Sequence, residues 1–227
     1  MPSVNQWLYH GVDSLKSYKA LSSDLPVRLI VVAVPGAGKT TILRIVKEKL
    51  PDVTVVNYGD YMLDVAKRRY GISHRDEMRR KLPLNDYRRV QEIAAEEIAK
   101  IPGDVLIDTH AAIRMHGGFY PGLPGRIIER LMPDAIVVLE FNPMDIIERR
   151  MKDEALRIRE KETPQEIELH QMANRYYAFA AANEAECPVF ILDFHNRVQE
   201  RPFQHAEEAA AFIVDLIVKN RQGSLVA

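Results

Sequence analysis

Residues 28–50 read RLIVVAVPGAGKTTILRIVKEKL. An apolar, β-branched run over residues 29–34 is followed by a glycine-rich turn ending in Lys39-Thr40, and then by Ile42, Leu43, Val46 and Leu50 at helical spacing. Strand, glycine turn and helix in that order make a phosphate-binding loop. Backbone N–H groups around residues 35–39 can face an anion, and the helix adds the positive end of its dipole. Lys39 supplies a mobile charge, and Thr40 offers a hydroxyl to Mg2+. The first glycine of the G-x-x-x-x-G-K-[ST] pattern is replaced by Ala33, the mildest substitution available. A glycine turn with an incidental lysine is the plain alternative, and the strand before and helix after it argue against that.

Outward from this loop, strand-like runs recur at residues 53–57, 105–108, 135–141 and 189–193, with helical patterns between them. That alternation predicts an α/β domain with a parallel sheet covered by helices on both faces. Pro51 stops the first helix, and Asn85 is expected to cap a helix whose Tyr87, Val90, Ala94, Ile98 and Ile101 form a core stripe. Thr163-Pro164-Gln165-Glu166 reads as a capping box with proline in the first turn, opening a long helix towards Glu186. Residues 1–26 carry Trp7, Leu8, Val12, Leu15, Tyr18 and Leu21 at roughly helical spacing, which predicts an accessory helix docked on the main domain, residues 27–227, with a subunit contact as the alternative.

The chain has 227 residues, 47% of them hydrophobic, enough for one full core. Its 31 basic and 32 acidic residues give a net charge of −1, so no global field recruits nucleic acid. The lone Cys187 cannot close an internal disulfide or a cysteine-rich zinc cluster, which fits a reducing cytoplasm. No apolar run reaches membrane-spanning length, and residues 1–26 lack the basic start and apolar stretch of a signal peptide. A soluble, cytoplasmic chain with no nucleic-acid or membrane partner is therefore expected.

Four further stretches carry chemistry. The run Val105-Leu106-Ile107-Asp108 delivers a carboxylate at the end of a buried strand, where open α/β sheets place ligands, making Asp108 the expected partner of Thr40 on Mg2+, with an aspartate that merely caps a turn before Thr109 as the alternative. The glycine- and proline-dense residues 109–126, with Arg114, His116, Phe119 and Tyr120, are expected to form a long binding loop. In SHRDEMRRK, residues 73–81, Ser73 and Asp76 resemble a capping box, and a helix there sets Arg75 and Arg79 on one face, able to grip a second phosphate. The run 149–161, holding Arg149, Arg150, Arg157 and Arg159, suits a mobile cap over a transferring phosphoryl group. For both basic runs an ordinary solvated helix surface is the alternative. No N-K-x-D or D-x-x-G motif of a regulatory GTPase and no serine-glycine-glycine transporter signature occurs in the chain. A small phosphotransferase is left.

These stretches together resemble the archaeal-type adenylate kinases, P-loop nucleoside monophosphate kinases, over residues 29–217. The matches are VPGAGKTT at 34–41, VNYGDYM at 56–62, HRDEMR at 74–79, IDTHAAIR at 107–114, YPGLP at 120–124, and the R-x-R of Arg157 and Arg159. The resemblance implies a P-loop kinase fold with a five-stranded parallel sheet ordered 2-3-1-4-5, a monophosphate-binding segment at about 57–85, a short lid at about 150–163, and a homotrimer. It implies ATP and Mg2+ as co-substrate and cofactor, with ATP on Pro35, Gly36, Ala37, Gly38, Lys39, Thr40 and Thr41 and its adenine near His195-Asn196. AMP is implied along Tyr58, Gly59, Asp60, Arg79, Asp108, His110 and Arg114. Lys39, Arg114, Arg149 or Arg150, Arg157 and Arg159 are implied to act on the transferring phosphoryl. The spacing from Asp153 to Arg159 is one residue longer than the family pattern. The implied reaction is ATP + AMP = 2 ADP. A UMP/CMP or broad-specificity kinase, and a nucleotide-binding assembly factor with weak ATPase activity, are the other readings.

Overall fold

The computed structural model describes residues 26–152 and 162–223. The expected accessory helix at residues 1–26 and the arginines Arg157 and Arg159 lie outside these described residues, save Pro26.

The β-branched runs form the sheet. β1 (Arg28–Val32), β2 (Thr54–Asn57), β3 (Val105–Thr109), β6 (Ala135–Phe141) and β7 (Val189–Phe194) pair in the order β2-β3-β1-β6-β7, all parallel. Counted among themselves, these strands stand 2-3-1-4-5. Residues 109–126 were expected to be a loop. Instead β4 (Ala112–Met115) and β5 (Gly118–Pro121) form an antiparallel hairpin apart from the sheet. Met115 pairs with Gly118, so His116-Gly117 is the turn, and Gly117 supplies the positive φ of 74°.

Helices cover both faces. On one lie α2 (Tyr58–Tyr70), α4 (Leu84–Ala99), α5 (Gly125–Leu131) and part of α7 (Pro164–Ala185), packed on Ile30, Val32, Ile107, Ile136 and Val138. On the other lie α1 (Lys39–Lys49) and α8 (Gln204–Arg221), with Ile146 of α6 (Pro143–Lys152), packed on Leu29, Val31, Leu106, Val137 and Leu139. Alternate residues of β1 thus serve opposite cores, as a strand's period of two requires. Ile42, Leu43 and Val46 are buried under α1, and Tyr87, Val90, Ala94 and Ile98 under α4, as their spacing predicts. Each fully buried aliphatic side chain contributes roughly 1.5–3 kcal/mol.

The helix starts divide into kept and revised expectations. Thr163 accepts from the Glu166 amide at 3.2 Å while Glu166 accepts from the Thr163 amide at 2.8 Å, a complete capping box with Pro164 beside it. Asn85 is not a cap. α4 begins one residue earlier behind Pro83, whose fixed φ suits the helix entry, and Asn85 faces Arg88 at 3.4 Å. Ser73 is not the cap of the next helix either. α3 (Arg75–Lys81) starts after His74 with no side-chain cap, and Glu77 takes the Ser73 amide at 3.3 Å instead.

Candidate active site

The site lies along the C-terminal edge of the sheet. After β1, Ala33 is fully buried, and the following turn closes with the Ala37 amide donating to Val34 O at 3.3 Å. Gly36 at φ 85° and Gly38 at φ 91° provide backbone that side-chain-bearing residues resist. No side chain caps α1, so its first-turn N–H groups have no competing protein acceptor of that kind. Two arginines of α6 hold the turn's carbonyls. Arg150 donates to Pro35 O at 2.9 and 2.7 Å, and Arg149 donates to Ala37 O at 3.0 Å. Oxygens that would repel a phosphate are thereby occupied. Beside the loop stands an aromatic wall: Arg149 lies 4.6 Å over Phe141, which stacks on Phe194 at 5.1 Å, which stacks on His205 at 4.9 Å.

Lys39 is buried, with Nζ 3.0 Å from Asp108 Oδ1 and donating to Ala33 O at 3.4 Å and to Thr109 O. Burial lowers its pKa, and Asp108 offsets part of that. Asp108 Oδ2 accepts from the Asn57 amide at 2.7 Å, whereas Oδ1 is buried without an aligned hydrogen bond, the Lys39 ammonium being close but off axis. Thr40 is exposed one residue into α1. A hydroxyl, a carboxylate oxygen with spare valence and nucleotide phosphates are the donor set Mg2+ prefers, so these residues fit that ion. Among the described residues no group of three or more His, Cys, Asp and Glu could hold a metal by itself.

A second set of cations faces this loop. Asn57 ends β2, accepts from the Asp60 amide at 3.3 Å to cap α2, and accepts from Arg75 at 2.8 Å. Arg75 also pairs with Asp60, and its guanidinium lies over Gly59, where a Cβ would meet it at 3.0 Å and push it back by a few tenths of an ångström. Tyr58 is part of the core, its hydroxyl donating to Gln91 O at 2.7 Å. Arg79 donates to the backbone oxygen of Arg114 at 3.4 Å, bringing α3 to the hairpin. Arg114 pairs with Glu162, and with Glu166 at 2.7 Å; Glu162 pairs through its other oxygen with Arg150. Gly122, after β5, permits the hairpin to close on the sheet, because a Cβ there would fall 1.9 Å from His110 O.

Not every expected site residue joins this cluster through its side chain. His110 turns its Nδ1 to Ala33 O, beside Lys39, so it braces the phosphate loop. Asn196 is exposed in the turn after β7, next to His195, which is held between Asp193 at 2.7 Å and Glu168 at 2.9 Å. Both Arg149 and Arg150 reach the loop, and Arg150 is the more buried. Glu162, Asn57 and the aromatic wall were not singled out by sequence reading; Glu162 directly precedes the recognised cap at Thr163, the one local signal for it.

The histidines make a pH prediction. At His195 burial pulls the pKa down, but Glu168 and Asp193 outweigh it and raise it above the usual 6.5. At His110 burial and the Lys39 charge push it well below that value. An NMR titration is expected to find His195 the higher of the two and His110 neutral throughout the mildly acidic range. Because the folded pKa of His195 is raised, its stabilising contribution is complete below the unfolded pKa and is lost as pH rises through the folded one. His195→Gln should remove that part of the pH dependence of stability.

A five-stranded parallel sheet with a phosphate loop at its C-terminal edge and arginines converging on it defines a P-loop phosphotransferase. Residues 32–168 match the family described as "AAA domain". An adenylate kinase of Pyrobaculum aerophilum is 59% identical over 87% of this chain and 100% of its own length, and one of Methanopyrus kandleri is 40% identical over 76% and 92%. A shikimate kinase structure from Bacteroides thetaiotaomicron shares the fold, with a TM-score of 0.52 at 16% identity over 85% of this chain and 98% of its own. The chain belongs to the adenylate kinase family.

Proposed function

We propose that the protein catalyses the reversible, Mg2+-dependent reaction ATP + AMP = 2 ADP. The observation that carries this reading is a second arginine set, Arg79 and Arg114, set opposite the phosphate loop and joined to it through Glu162 and Arg150. A nucleotide switch or a simple ATPase has no use for a second phosphate clamp.

In this reading ATP lies on Pro35, Gly36, Ala37, Gly38, Lys39, Thr40 and Thr41, with its base towards the Phe141 wall and Asn196. AMP lies beside Gly59, Asp60 and the hairpin, its phosphate on Arg79 and Arg114. Mg2+ would be held by Thr40 and Asp108 together with ATP oxygens, and would neutralise charge on the phosphates. Lys39, Arg114 and the α6 arginines stabilise the equatorial oxygens of the transferring group, and Arg157 and Arg159 close over it. No covalent intermediate is needed, since alignment, exclusion of water and charge stabilisation suffice. Residues 57–85 and 150–163 serve as the acceptor-binding segment and lid of one domain, residues 27–227. A cytoplasmic location agrees with these substrates and with the single cysteine, and no described helix is long and apolar enough to cross a membrane. A homotrimer is the assembly the family resemblance favours.

Phosphorus NMR of a mixture of ATP, AMP, Mg2+ and enzyme tests the reaction. Two ADP should form for each AMP consumed, with no inorganic phosphate. Steady phosphate release independent of AMP would instead indicate an ATPase.

A further inference from the structure

We propose that Glu162 is a positioning residue: in the free enzyme its carboxylate stands where the transferring phosphoryl group belongs, aiming Arg114 and Arg150 at one point, and it yields that place when both nucleotides bind. This rests on the site reading above.

Glu162 uses both oxygens, one for each guanidinium, and is itself only 11% exposed, beside an Arg150 that is 9% exposed. Arg150 is tied on its other side to Pro35 O in the phosphate loop. Arg114 is tied to Glu166, and its backbone to Arg79 on the acceptor side. The carboxylate therefore sits between the donor loop and the acceptor arginines, and two planar forks on one carboxylate copy two forks on a phosphoryl group. Burial pushes the Glu162 carboxyl up, but Arg150 and Arg114 outweigh it and keep it below the usual range, hence charged at neutral pH. A carboxylate and a phosphoryl group cannot hold the same donors at once, and their like charges repel. The phosphoryl group, with three equatorial oxygens and more charge, is the stronger ligand. The capping box at Thr163 anchors the backbone next to Glu162, so the side chain can release without unravelling α7.

The test measures the AMP dissociation constant by calorimetry and kcat by ADP formation, on the full chain. Glu162→Gln keeps the shape and removes the charge. Losing the internal anion should tighten AMP about three- to tenfold, while losing the common aim should lower kcat about tenfold. Glu162→Asp keeps the charge but reaches only one arginine, and should move both values the same way by smaller factors. AMP affinity unchanged or weakened in the variants overturns the proposal, as does an unchanged kcat. If circular dichroism shows Glu162→Gln to be unfolded, Glu162→Asp decides by the same criteria. Failure of the site reading itself is separately visible: it would leave AMP binding intact in Arg114→Ala.

Discussion

Lys39→Ala is expected to lower kcat by at least about 10²-fold, the usual consequence of removing one preorganised donor from a developing anion. Nζ rests 3.0 Å from Asp108 Oδ1, at the mouth of the phosphate loop. In the proposed reaction its flexible four-carbon stem would exchange that carboxylate for β- and γ-phosphate oxygens, where its charge counts most as the phosphoryl group leaves. The same substitution leaves buried Asp108 with only the Asn57 amide, so some loss of thermal stability should accompany it. Kinetics are therefore read on protein whose folded state has been verified by its melting curve. Near-normal turnover of the folded variant would remove Lys39 from the chemistry.

Arg114→Ala is expected to raise the AMP KM by about tenfold or more while leaving the ATP KM nearly unchanged, because a charge-assisted phosphate contact is lost on one side only. The hairpin carries Arg114, and α3 reaches it through Arg79, so in the proposed reading the acceptor phosphate is held by elements other than the donor loop. Steady-state kinetics with each nucleotide varied in turn decide the point, and equal weakening of ATP and AMP would contradict a two-site arrangement.

Much of this was legible because it is local. Strand, glycine turn and helix follow one another within residues 28–49, and the capping box spans Thr163 to Glu166. Sheet strands were placed to within two residues, since buried parallel strands read as short apolar runs. Two elements were hidden in stretches read as binding segments. α2 has its apolar face at Tyr58, Met62, Val65 and Ala66, its cap at Asn57 and its left-handed stop at Gly71, signals masked by the polar residues among them. The β4–β5 hairpin is only four residues a side, and its glycines and prolines resemble those of an irregular loop. Pairings such as Glu162 with Arg114 join residues 48 apart, and Asn57 with Asp108 join residues 51 apart. No periodicity reports contacts of that kind; they exist only once the fold has brought the end of β2 to β3 and the β4–β5 hairpin to the start of α7.

The most direct test of the assignment holds MgATP constant and follows nucleoside diphosphate formation with AMP, GMP, CMP and UMP in turn. Strong preference for AMP is expected, with ADP as the sole product of that reaction. Comparable or faster turnover with CMP or UMP, or nucleotide hydrolysis without any acceptor, would contradict it.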